Sequence, residues 1–401
     1  MKTEYNFEQP VDRSGTSSIK WDRRKGKFQE EDVLPMWIAD TDFACPKKVL
    51  EALSDRIAHP IFGYSFPDET YFSSIINWFG SRHGLEIQKE WIRSCCGVVT
   101  AVSYCIQALT SPGDQVLIQP PVYDPFQAVI AGTGRKVVEN PLISKDGSYE
   151  MDYEGLERAF GSGVRLMVLC NPHNPVGRVW TRDELKTLID LCIQYHVYLV
   201  SDEIHCDMEL FNNHYTSVLQ FPESHEIAIS CISPGKTFNI SGLAVSATLI
   251  PHKELNEKVG DKLRSAWLIN PCVLSLKASA AAYTYGGPWL DAQIAHLEQN
   301  SLAVQNRLAQ EAPHIRTSRH EGTFLMWLDF SDFGLSDKEL EEELSHTWHL
   351  GFNSGFHFGT GGSGFMRMNI GCTGAVIHQA LDRLAQMHQA HFGSHTPPRA
   401  D

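Results

Sequence analysis

Residues 230–243 have the sequence SCISPGKTFNISGL and contain one lysine, Lys236, among small, hydroxyl and apolar residues. The apolar residues 227–232 that lead into this lysine indicate a buried strand. A lysine just beyond such a strand, between Ser, Gly and Pro residues, serves either as a phosphate ligand or as an amine for covalent chemistry. Residues elsewhere in the chain distinguish between these two roles.

The middle of the chain alternates between apolar strands and an amphipathic helix. Residues 164–170, 197–201 and 227–232 are mostly apolar, and the capping box Thr181-Arg182-Asp183-Glu184 opens a helix between the first two runs. This alternation predicts an α/β fold with a parallel sheet covered on both faces, and such sheets bind ligands beyond the carboxyl ends of their strands. Three polar segments directly follow three of these strands and mark the expected site, residues 171–177, 202–205 and 233–236.

The length and the change of pattern along the chain predict two units. A chain of 401 residues exceeds what one hydrophobic core usually serves. We expect an irregular arm at residues 1–44, a large domain at 45–286, a smaller α+β domain at 287–394 and a disordered tail at 395–401. The smaller domain carries helices at 291–310, 337–346 and 375–391, and strands at 322–330 and 365–370.

The composition excludes several classes of partner. Asp and Glu number 48 against 34 Lys and Arg, and this net charge of −14 argues against binding to nucleic acid or to an anionic membrane. No apolar run approaches the roughly 20 residues of a membrane span, and the N-terminal sequence lacks the apolar core of a signal peptide. The missing signal-peptide core predicts a cytoplasmic location. The ten cysteines are scattered without a C-x-x-C pair or zinc spacing, so we expect reduced thiols and no metal.

Two nucleotide-binding patterns fail in their context. Gly235-Lys236-Thr237 matches the end of a P-loop, but that motif needs a glycine where Ser230 stands. Residues 359–364, GTGGSG, satisfy G-x-G-x-x-G, but the strand-like residues 365–370 follow where the dinucleotide fingerprint needs a helix. No G-x-S-x-G motif of the serine hydrolases is present.

The remaining role for the lysine is covalent chemistry with an aldehyde, and pyridoxal 5'-phosphate (PLP) is such a cofactor. PLP needs an acid beside its ring nitrogen, and Asp202 follows a predicted strand where it can pair with that nitrogen. Asn174 lies in the neighbouring polar segment, where its amide can donate to the ring 3-oxygen. Both residues belong to the same predicted sheet edge as Lys236.

The other requirements of PLP are met by residues elsewhere in the chain. The backbone N–H groups of Val98, Val99 and Thr100 open a predicted helix and suit a phosphate, to which the Ser233 hydroxyl can add a hydrogen bond. A flat group to stack on the ring and a cation for the substrate carboxylate are supplied by Tyr123 and Arg367.

The order of these motifs resembles that of the fold-type I PLP enzymes, the aspartate-aminotransferase superfamily. The motifs are Gly97-Val98-Val99, Tyr123, Asn-Pro-x-Asn-Pro-x-Gly at 171–177, Asp-Glu-Ile-His at 202–205, Ser233-x-x-Lys236 and Arg367. The chain is further similar to the cystathionine β-lyase branch of the MalY/PatB type in the phrases SIKWD at 18–22, MWIADTDF at 36–43, PPVYDPF at 120–126 and SDEIH at 201–205. The resemblance covers about residues 10–375 and implies a mostly parallel seven-stranded sheet in a PLP-binding large domain, with a smaller C-terminal domain.

The resemblance also implies a role for each matching residue. Lys236 is the Schiff-base lysine, Asp202 the partner of the ring nitrogen, Asn174 the ligand of the 3-oxygen and a substrate contact, Tyr123 the stacking ring, and Arg367 the carboxylate clamp. Ala39 lies over the substrate, and His205 borders the cofactor. Tyr64 reaches the phosphate of a partner subunit, which implies a homodimer with shared active sites, to which the arm contributes.

Three departures from the pattern of known relatives bear on the site. Many aminotransferases carry an arginine phosphate ligand shortly after the lysine, whereas residues 237–246 contain no arginine. Many aminotransferases also carry a tyrosine where His205 stands. Residues 371–374, GCTG, lack the Pro-Arg that we expect after the cysteine in close relatives, which bears on substrate preference. The phosphate therefore depends on Ser233, the amides at 97–100 and Tyr64.

The resemblance predicts β-elimination from L-cystathionine or another cysteine S-conjugate, with pyruvate, ammonia and a thiol as products. Lys236 takes the α-proton while Arg367 orients the carboxylate. An aminotransferase with the same residues is the nearest alternative. A PLP-fold protein with an added regulatory, partner-binding role is the second alternative.

Overall fold

A computed structural model describes residues 5–393. A seven-stranded sheet forms its centre, with the strands in the spatial order Ile92–Cys95, Ser246–Leu249, Ala228–Ile232, Tyr198–Asp202, Val164–Cys170, Gln115–Ile118 and Lys136–Glu139. Ser246–Leu249 runs antiparallel to both of its neighbours, and all pairings from Ala228–Ile232 to Lys136–Glu139 are parallel. The predicted α/β fold with a mostly parallel seven-stranded sheet is therefore confirmed.

The apolar runs of the central strands reflect burial on both faces of the sheet. Successive side chains of a strand point to opposite faces. In Val164–Cys170, Met167 and Leu169 pack into one hydrophobic cluster, and Leu166 and Val168 pack into another on the other face. A strand covered on both sides has no polar face, which explains the continuous apolar sequence.

Helices cover both faces of the sheet and build the rest of the fold. Those of eight or more residues within the described range are Lys47–Ala58, Glu69–His83, Val98–Leu109, Pro125–Gly132, Tyr153–Gly161, Arg182–Gln194, Lys253–Ser265, Val273–Tyr285, Gly287–Glu311 and Gly374–Phe392. The capping box predicted at Thr181 and Glu184 is present and opens Arg182–Gln194. None of the helices in residues 5–393 has the length and apolar character needed to span a membrane.

The C-terminal part of the chain forms a second, antiparallel sheet. Its strands lie in the order Arg316–Thr317, Leu325–Asp329, Phe365–Asn369 and Asn353–Ser354. The helices Gly287–Glu311 and Gly374–Phe392 pack against each other beside it. The helices Val273–Tyr285 and Gly287–Glu311 meet at Gly286, and we propose that the boundary between the large and small units lies there.

The N-terminal arm is more regular than the sequence predicts. Residues Ile19–Asp22 and Arg24–Phe28 form short helices, the first capped by Ser18, and Leu34–Pro35 pairs in parallel with Leu350–Gly351. This strand pairing is a long-range contact, which local sequence patterns cannot indicate.

Two further predictions for the C-terminal part differ in their outcome. The helix predicted at residues 337–346 is regular only over Asp337–Glu342 and widens into a π-helical turn at Glu343–Thr347. The predicted tail at residues 395–401 lies outside the described residues.

Glu203 joins the central strands through a buried hydrogen-bond network. Its carboxylate is fully buried and accepts hydrogen bonds from five groups, Ser201 Oγ, Tyr215 OH, Ser217 Oγ, Val218 N and Ser230 Oγ. The donors lie on two neighbouring strands and on the segment that crosses the end of the sheet. A buried carboxylate is stable only when its charge is compensated in this way.

Replacing Glu203 should therefore destabilise the fold. Glu203→Ala leaves several buried donors without an acceptor, and we expect a loss of about 3–5 kcal/mol in the free energy of unfolding. Glu203→Gln keeps part of the acceptor capacity and should lose less. Denaturant unfolding measures both, with the exposed Glu223→Ala as the control. A loss below about 1 kcal/mol in Glu203→Ala would contradict this role.

Candidate active site

The three polar segments predicted at the sheet edge meet around one cavity of about 670 Å³. Its wall consists of Ala39, Gly97, Val98, Val99, Tyr123, Cys170, Asn174, Asp202, Ile204, His205, Ser233, Lys236, Ser241, Ala244 and Val245. Nine of the predicted site residues therefore share one cavity. Arg367 touches Asn174 from behind the wall, whereas Thr100 and Tyr64 do not line the cavity.

Lys236 lies in the short helix Pro234–Thr237, directly after the strand Ala228–Ile232. Its Nζ donates a hydrogen bond of 2.5 Å to the carbonyl oxygen of Ala39. Burial lowers the pKa of Lys236 to about 8, against the opposing effect of Asp40 and Asp202. The amine therefore loses its proton far more readily than an ordinary lysine, as a nucleophile or base requires.

Asp202 is the last residue of the strand Tyr198–Asp202 and is almost fully buried. Burial raises the pKa of its carboxyl to about 7, although the backbone N–H of Ile204 and the charge of Lys236 both oppose this shift. The Ile204 N–H, at 3.1 Å, is its hydrogen-bond donor in the described chain. A buried carboxylate with so little compensation favours a cationic ligand, such as a protonated ring nitrogen.

Arg367 lies on the strand Phe365–Asn369 and is also buried. Its Nη1 donates to Asn174 Oδ1 at 3.1 Å, its Nη2 donates to the Trp37 carbonyl at 2.8 Å, and its guanidinium lies 4.9 Å from the centre of the Phe358 ring. Within residues 5–393 its Nε has no partner and no carboxylate forms an ion pair with it. Burial lowers the pKa of Arg367 to about 10. An unpaired buried guanidinium beside the cavity suits a carboxylate ligand.

The helix Val98–Leu109 begins at the cavity wall and offers free backbone donors. The first N–H groups of a helix have no partner within the helix, and the positive end of the helix dipole favours an anion there. Val98 and Val99 line the cavity, while Thr100 follows in the same turn. Gly97 precedes them with φ +119°, and the space that a side chain would occupy is open. This cradle suits a phosphate.

Tyr123 and His205 present rings to the cavity. Val122, next to Tyr123, donates its backbone N–H to the Phe358 carbonyl at 2.9 Å, and this bond holds the loop in place. Burial raises the pKa of Tyr123 to about 12, and burial lowers the pKa of His205 to about 3, so both rings are neutral at pH 7. His205 Nδ1 is buried without a partner among the described residues, so it remains available to a ligand.

The hydroxyl of Ser233 is already used by the protein, and Ser241 offers a free one. Ser233 Oγ donates to the Val245 carbonyl at 2.6 Å and accepts from Gly235 N at 3.0 Å. The Ser241 side chain lines the same cavity, and no hydrogen bond to it is found within residues 5–393. The sequence analysis did not predict Ser241 as a site residue. Its hydroxyl side chain and its position in the small-residue stretch after Lys236 were the signals that could have identified it.

A buried carboxylate, Asp207, supports the segment that carries Lys236. Asp207 Oδ1 accepts from Trp78 Nε1 at 2.9 Å and contacts His83 Nε2 at 2.7 Å, while Oδ2 accepts from Thr237 Oγ1 at 2.7 Å. Burial would raise the pKa of Asp207, but the hydrogen bonds from His83 and Thr237 lower it overall. The side chains of His83, Cys206 and Asp207 lie close enough together to bind a metal ion. Both carboxylate oxygens of Asp207 already have hydrogen-bond partners, however. The cluster therefore acts as a hydrogen-bond network beneath the lysine.

The donor set of the cavity fits PLP. A carboxylate of raised pKa suits the ring nitrogen, a lysine of lowered pKa suits the aldehyde, and the open helix start suits the phosphate. The side-chain nitrogen of Asn174, Nδ2, makes no hydrogen bond within the described chain, so it can donate to the ring oxygen. The chain thus has a group suited to the ring nitrogen, the ring oxygen, the aldehyde and the phosphate of PLP, although the predicted phosphate ligand Ser233 is committed to the Val245 carbonyl.

Comparison with known proteins places this fold and cavity in a family. A sequence model of the family "Aminotransferase class I and II" matches residues 31–384. Cystathionine beta-lyase PatB of Bacillus subtilis is 41% identical over 94% of this chain and 98% of its own, and protein MalY of Escherichia coli is 32% identical over 94% and 97%.

A solved structure agrees with these sequence relatives. Cystalysin of Treponema denticola, whose crystal structure contains a pyridoxal 5'-phosphate cofactor, superposes with a TM-score of 0.92 at 33% identity, covering 95% of this chain and 98% of its own. The chain belongs to the class I and II aminotransferase family, in the branch that contains PatB and MalY.

Proposed function

We propose that this protein is a PLP-dependent carbon–sulfur β-lyase that cleaves L-cystathionine or another cysteine S-conjugate to pyruvate, ammonia and a thiol. The observation that carries the proposal is the meeting of Lys236, Asp202 and Arg367 at one cavity, in a chain 41% identical to a cystathionine beta-lyase. The substrate is an amino acid, as the family implies.

Three residues at the cavity have separate roles in the proposed reaction. Bound PLP supplies an electron-accepting ring that makes the α-proton of the substrate acidic. Lys236 Nζ holds the cofactor at rest and accepts the α-proton during the reaction, which its lowered pKa permits. Asp202 keeps the positive charge of the ring nitrogen in place, because its carboxylate is buried with little other compensation. Arg367 binds the α-carboxylate and fixes the angle of the α C–H bond.

The remaining groups orient the cofactor and exclude water. Asn174 Nδ2 would donate to the ring 3-oxygen, and Tyr123 and His205 would border the ring. The Val98, Val99 and Thr100 N–H groups would hold the phosphate with the Ser241 hydroxyl, whereas the Ser233 hydroxyl, predicted as a further ligand, already donates to the Val245 carbonyl. Ala39 covers the substrate from the arm, where its carbonyl already contacts Lys236.

The active protein is a homodimer in this proposal, and Tyr64 completes the phosphate site of the partner subunit. Tyr64 is 95% exposed, so its aromatic ring is almost unpacked within one chain. Its neighbours in sequence Ile61, Phe62 and Phe66 are exposed as well, and exposed apolar patches mark interaction surfaces. Ser65 Oγ donates to the Pro271 carbonyl at 2.6 Å and so holds this segment against the chain near residue 271. A cytoplasmic location stays a prediction from composition.

The lyase activity is tested with L-cystathionine and PLP in the absence of any keto acid. We expect pyruvate and a free thiol in equal amounts, and a loss of at least about 1,000-fold in Lys236→Ala because the base is removed. Reduction with borohydride followed by peptide mass analysis should locate the cofactor on Lys236. Activity that depends on an added keto acid and releases no thiol would instead establish an aminotransferase.

The role of Asp202 is tested by the pH dependence of stability in the cofactor-free protein. Its folded-state pKa of about 7 lies above the unfolded value, so the folded state binds the proton more tightly and wild type loses stability as pH rises from about 4 to 7. Asp202→Asn removes this titration. We expect the variant to gain on the order of 2–4 kcal/mol relative to wild type between pH 4 and 8, while its lyase activity falls at least about 100-fold.

Thermal and denaturant unfolding at several pH values measure this difference. Asp183→Asn, at an exposed position in the helix Arg182–Gln194, is the matched control and should follow wild type at every pH. Parallel stability curves for wild type and Asp202→Asn would contradict the buried-charge interpretation.

The shared active site is tested by mixing two inactive variants. Lys236→Ala lacks the base and Tyr64→Ala weakens the phosphate site, so each homodimer should have low activity. A mixed dimer contains one site with both Lys236 and Tyr64, so mixing should restore activity well above the sum of the two. Native mass spectrometry must first show subunit exchange, as a dimer whose mass lies between those of the two homodimers. No gain after exchange would place Tyr64 outside the partner's site.

A further inference from the structure

An arginine of the N-terminal arm binds the turn that covers the active-site lysine. Arg13 donates from Nη1 to Asp40 Oδ1 at 2.8 Å and from Nη2 to Asp40 Oδ2 at 2.9 Å. Its Nη1 also donates to Asp42 Oδ1 at 2.7 Å and to the Thr41 carbonyl at 3.2 Å. One guanidinium therefore binds the three residues that directly follow Ala39, whose carbonyl contacts the lysine.

A buried lysine, Lys20, holds the same turn from within the arm. Its side chain is 1% exposed, and its Nζ donates to Asp42 Oδ2 at 2.7 Å and to the Asp40 carbonyl at 3.3 Å. Asp42 also accepts from Trp21 Nε1 at 3.0 Å. The Asp40 carboxylate has fewer partners, since within residues 5–393 Arg13 is its hydrogen-bond donor and Lys20 Nζ lies 4.0 Å away. The turn is therefore held at Asp42 by several groups, whereas the charge of Asp40 is compensated mainly by Arg13.

The charges that act on Lys236 come from three elements of the fold. Burial lowers the pKa of Lys236, the charge of Asp40 on the arm raises it, Arg367 of the C-terminal sheet lowers it, and Asp202 of the central sheet raises it. The other titratable groups that line the cavity are Tyr123, Cys170 and His205. Lys236 forms no ion pair within residues 5–393, and its Nζ donates to the Ala39 carbonyl instead. Asp40, the residue next to Ala39, is thus the acidic group whose position matters most to the amine.

We propose that Arg13 is a positioning residue for Lys236, because it holds the Asp40 carboxylate in an ion pair away from the lysine amine. The Ala39 carbonyl then stays the acceptor for that amine. The inference rests on the proposed function, in which Lys236 is the base. A neutral amine that donates one N–H to a carbonyl keeps its lone pair for the α-proton of the substrate. An amine paired with a carboxylate would instead keep a third proton and could not accept another.

The proposal is tested by the pH at which Lys236 becomes reactive in the full chain freed of cofactor. Acetic anhydride acylates neutral amines and spares protonated ones. Peptide mass analysis gives the rate of acylation at Lys236, with the exposed Lys338 of the same sample as the internal reference. This rate rises with pH through a midpoint that reports the protonation of the Lys236 amine, and the measurement needs neither PLP nor substrate.

The two partners of the ion pair should move this midpoint in opposite directions. Asp40→Asn removes a negative charge, so we expect the midpoint to fall by about one pH unit. Arg13→Gln leaves the Asp40 charge largely uncompensated, so we expect a rise of similar size. The double variant Arg13→Gln/Asp40→Asn should return towards wild type, and Arg13→Lys, which keeps the charge, should stay close to it.

A matched control and the opposite signs separate this role from a structural one. Arg307 has an exposure similar to that of Arg13 and also pairs with two carboxylates, Glu311 and Asp382, so Arg307→Gln should leave the midpoint unchanged. A loosened arm would only admit water to the lysine, which raises the midpoint in both single variants.

The proposal is overturned if Asp40→Asn and Arg13→Gln move the midpoint in the same direction, or if neither moves it. A failure of the lyase function is a separate outcome, in which no cysteine S-conjugate yields pyruvate. The acylation midpoints are independent of that outcome, so they decide the role of Arg13 in either case.

Discussion

The contact between Lys236 Nζ and the Ala39 carbonyl joins the lysine segment to the N-terminal arm at the site, and the arm is bound in turn to the C-terminal sheet. The arm that carries Ala39 is held on one side by Asn239, whose Nδ2 donates to the carbonyls of Thr41 and Phe43. On the other side Asn369 Nδ2 donates to two further carbonyls of the arm, those of residues 38 and 40. Two asparagine amides thus fix the arm between the lysine segment and the C-terminal sheet. The wall over the lysine exists only when all three parts are folded together.

The site concentrates charge where water is excluded. Burial shifts the pKa values of Lys236, Asp202 and Arg367 towards their neutral forms, so each charged form is disfavoured in the protein alone. Glu203, one peptide away from Asp202, shows the contrast, because five donors compensate its charge. Asp202 ends its strand and Glu203 is the first residue beyond it, and the two carboxylates meet different surroundings, so one stabilises the fold while its neighbour is left for a ligand.

Local patterns predicted the parts of the fold that repeat a period or end a strand. The strand Val164–Cys170, the capping box at Thr181 and the polar segments at the strand ends were all visible in the sequence. The antiparallel strand Ser246–Leu249 was not, because its four residues, SATL, are too few and too mixed in polarity to show a period, and a strand's sequence carries no direction. The same limit applied to the pairing of the arm and to the Ser233 hydroxyl, since both depend on residues far away in the sequence.

The three uncompensated charges also affect the life of the protein outside catalysis. A ligand that binds only the folded state stabilises it in proportion to the logarithm of its concentration. In the proposed site, bound PLP would bring an anion to the helix start and a cation to Asp202, and it would so remove costs that the empty chain bears. The chain without cofactor would then unfold more often and be more open to proteolysis. The fraction of folded protein would depend on the concentration of the cofactor, as well as the rate of the reaction.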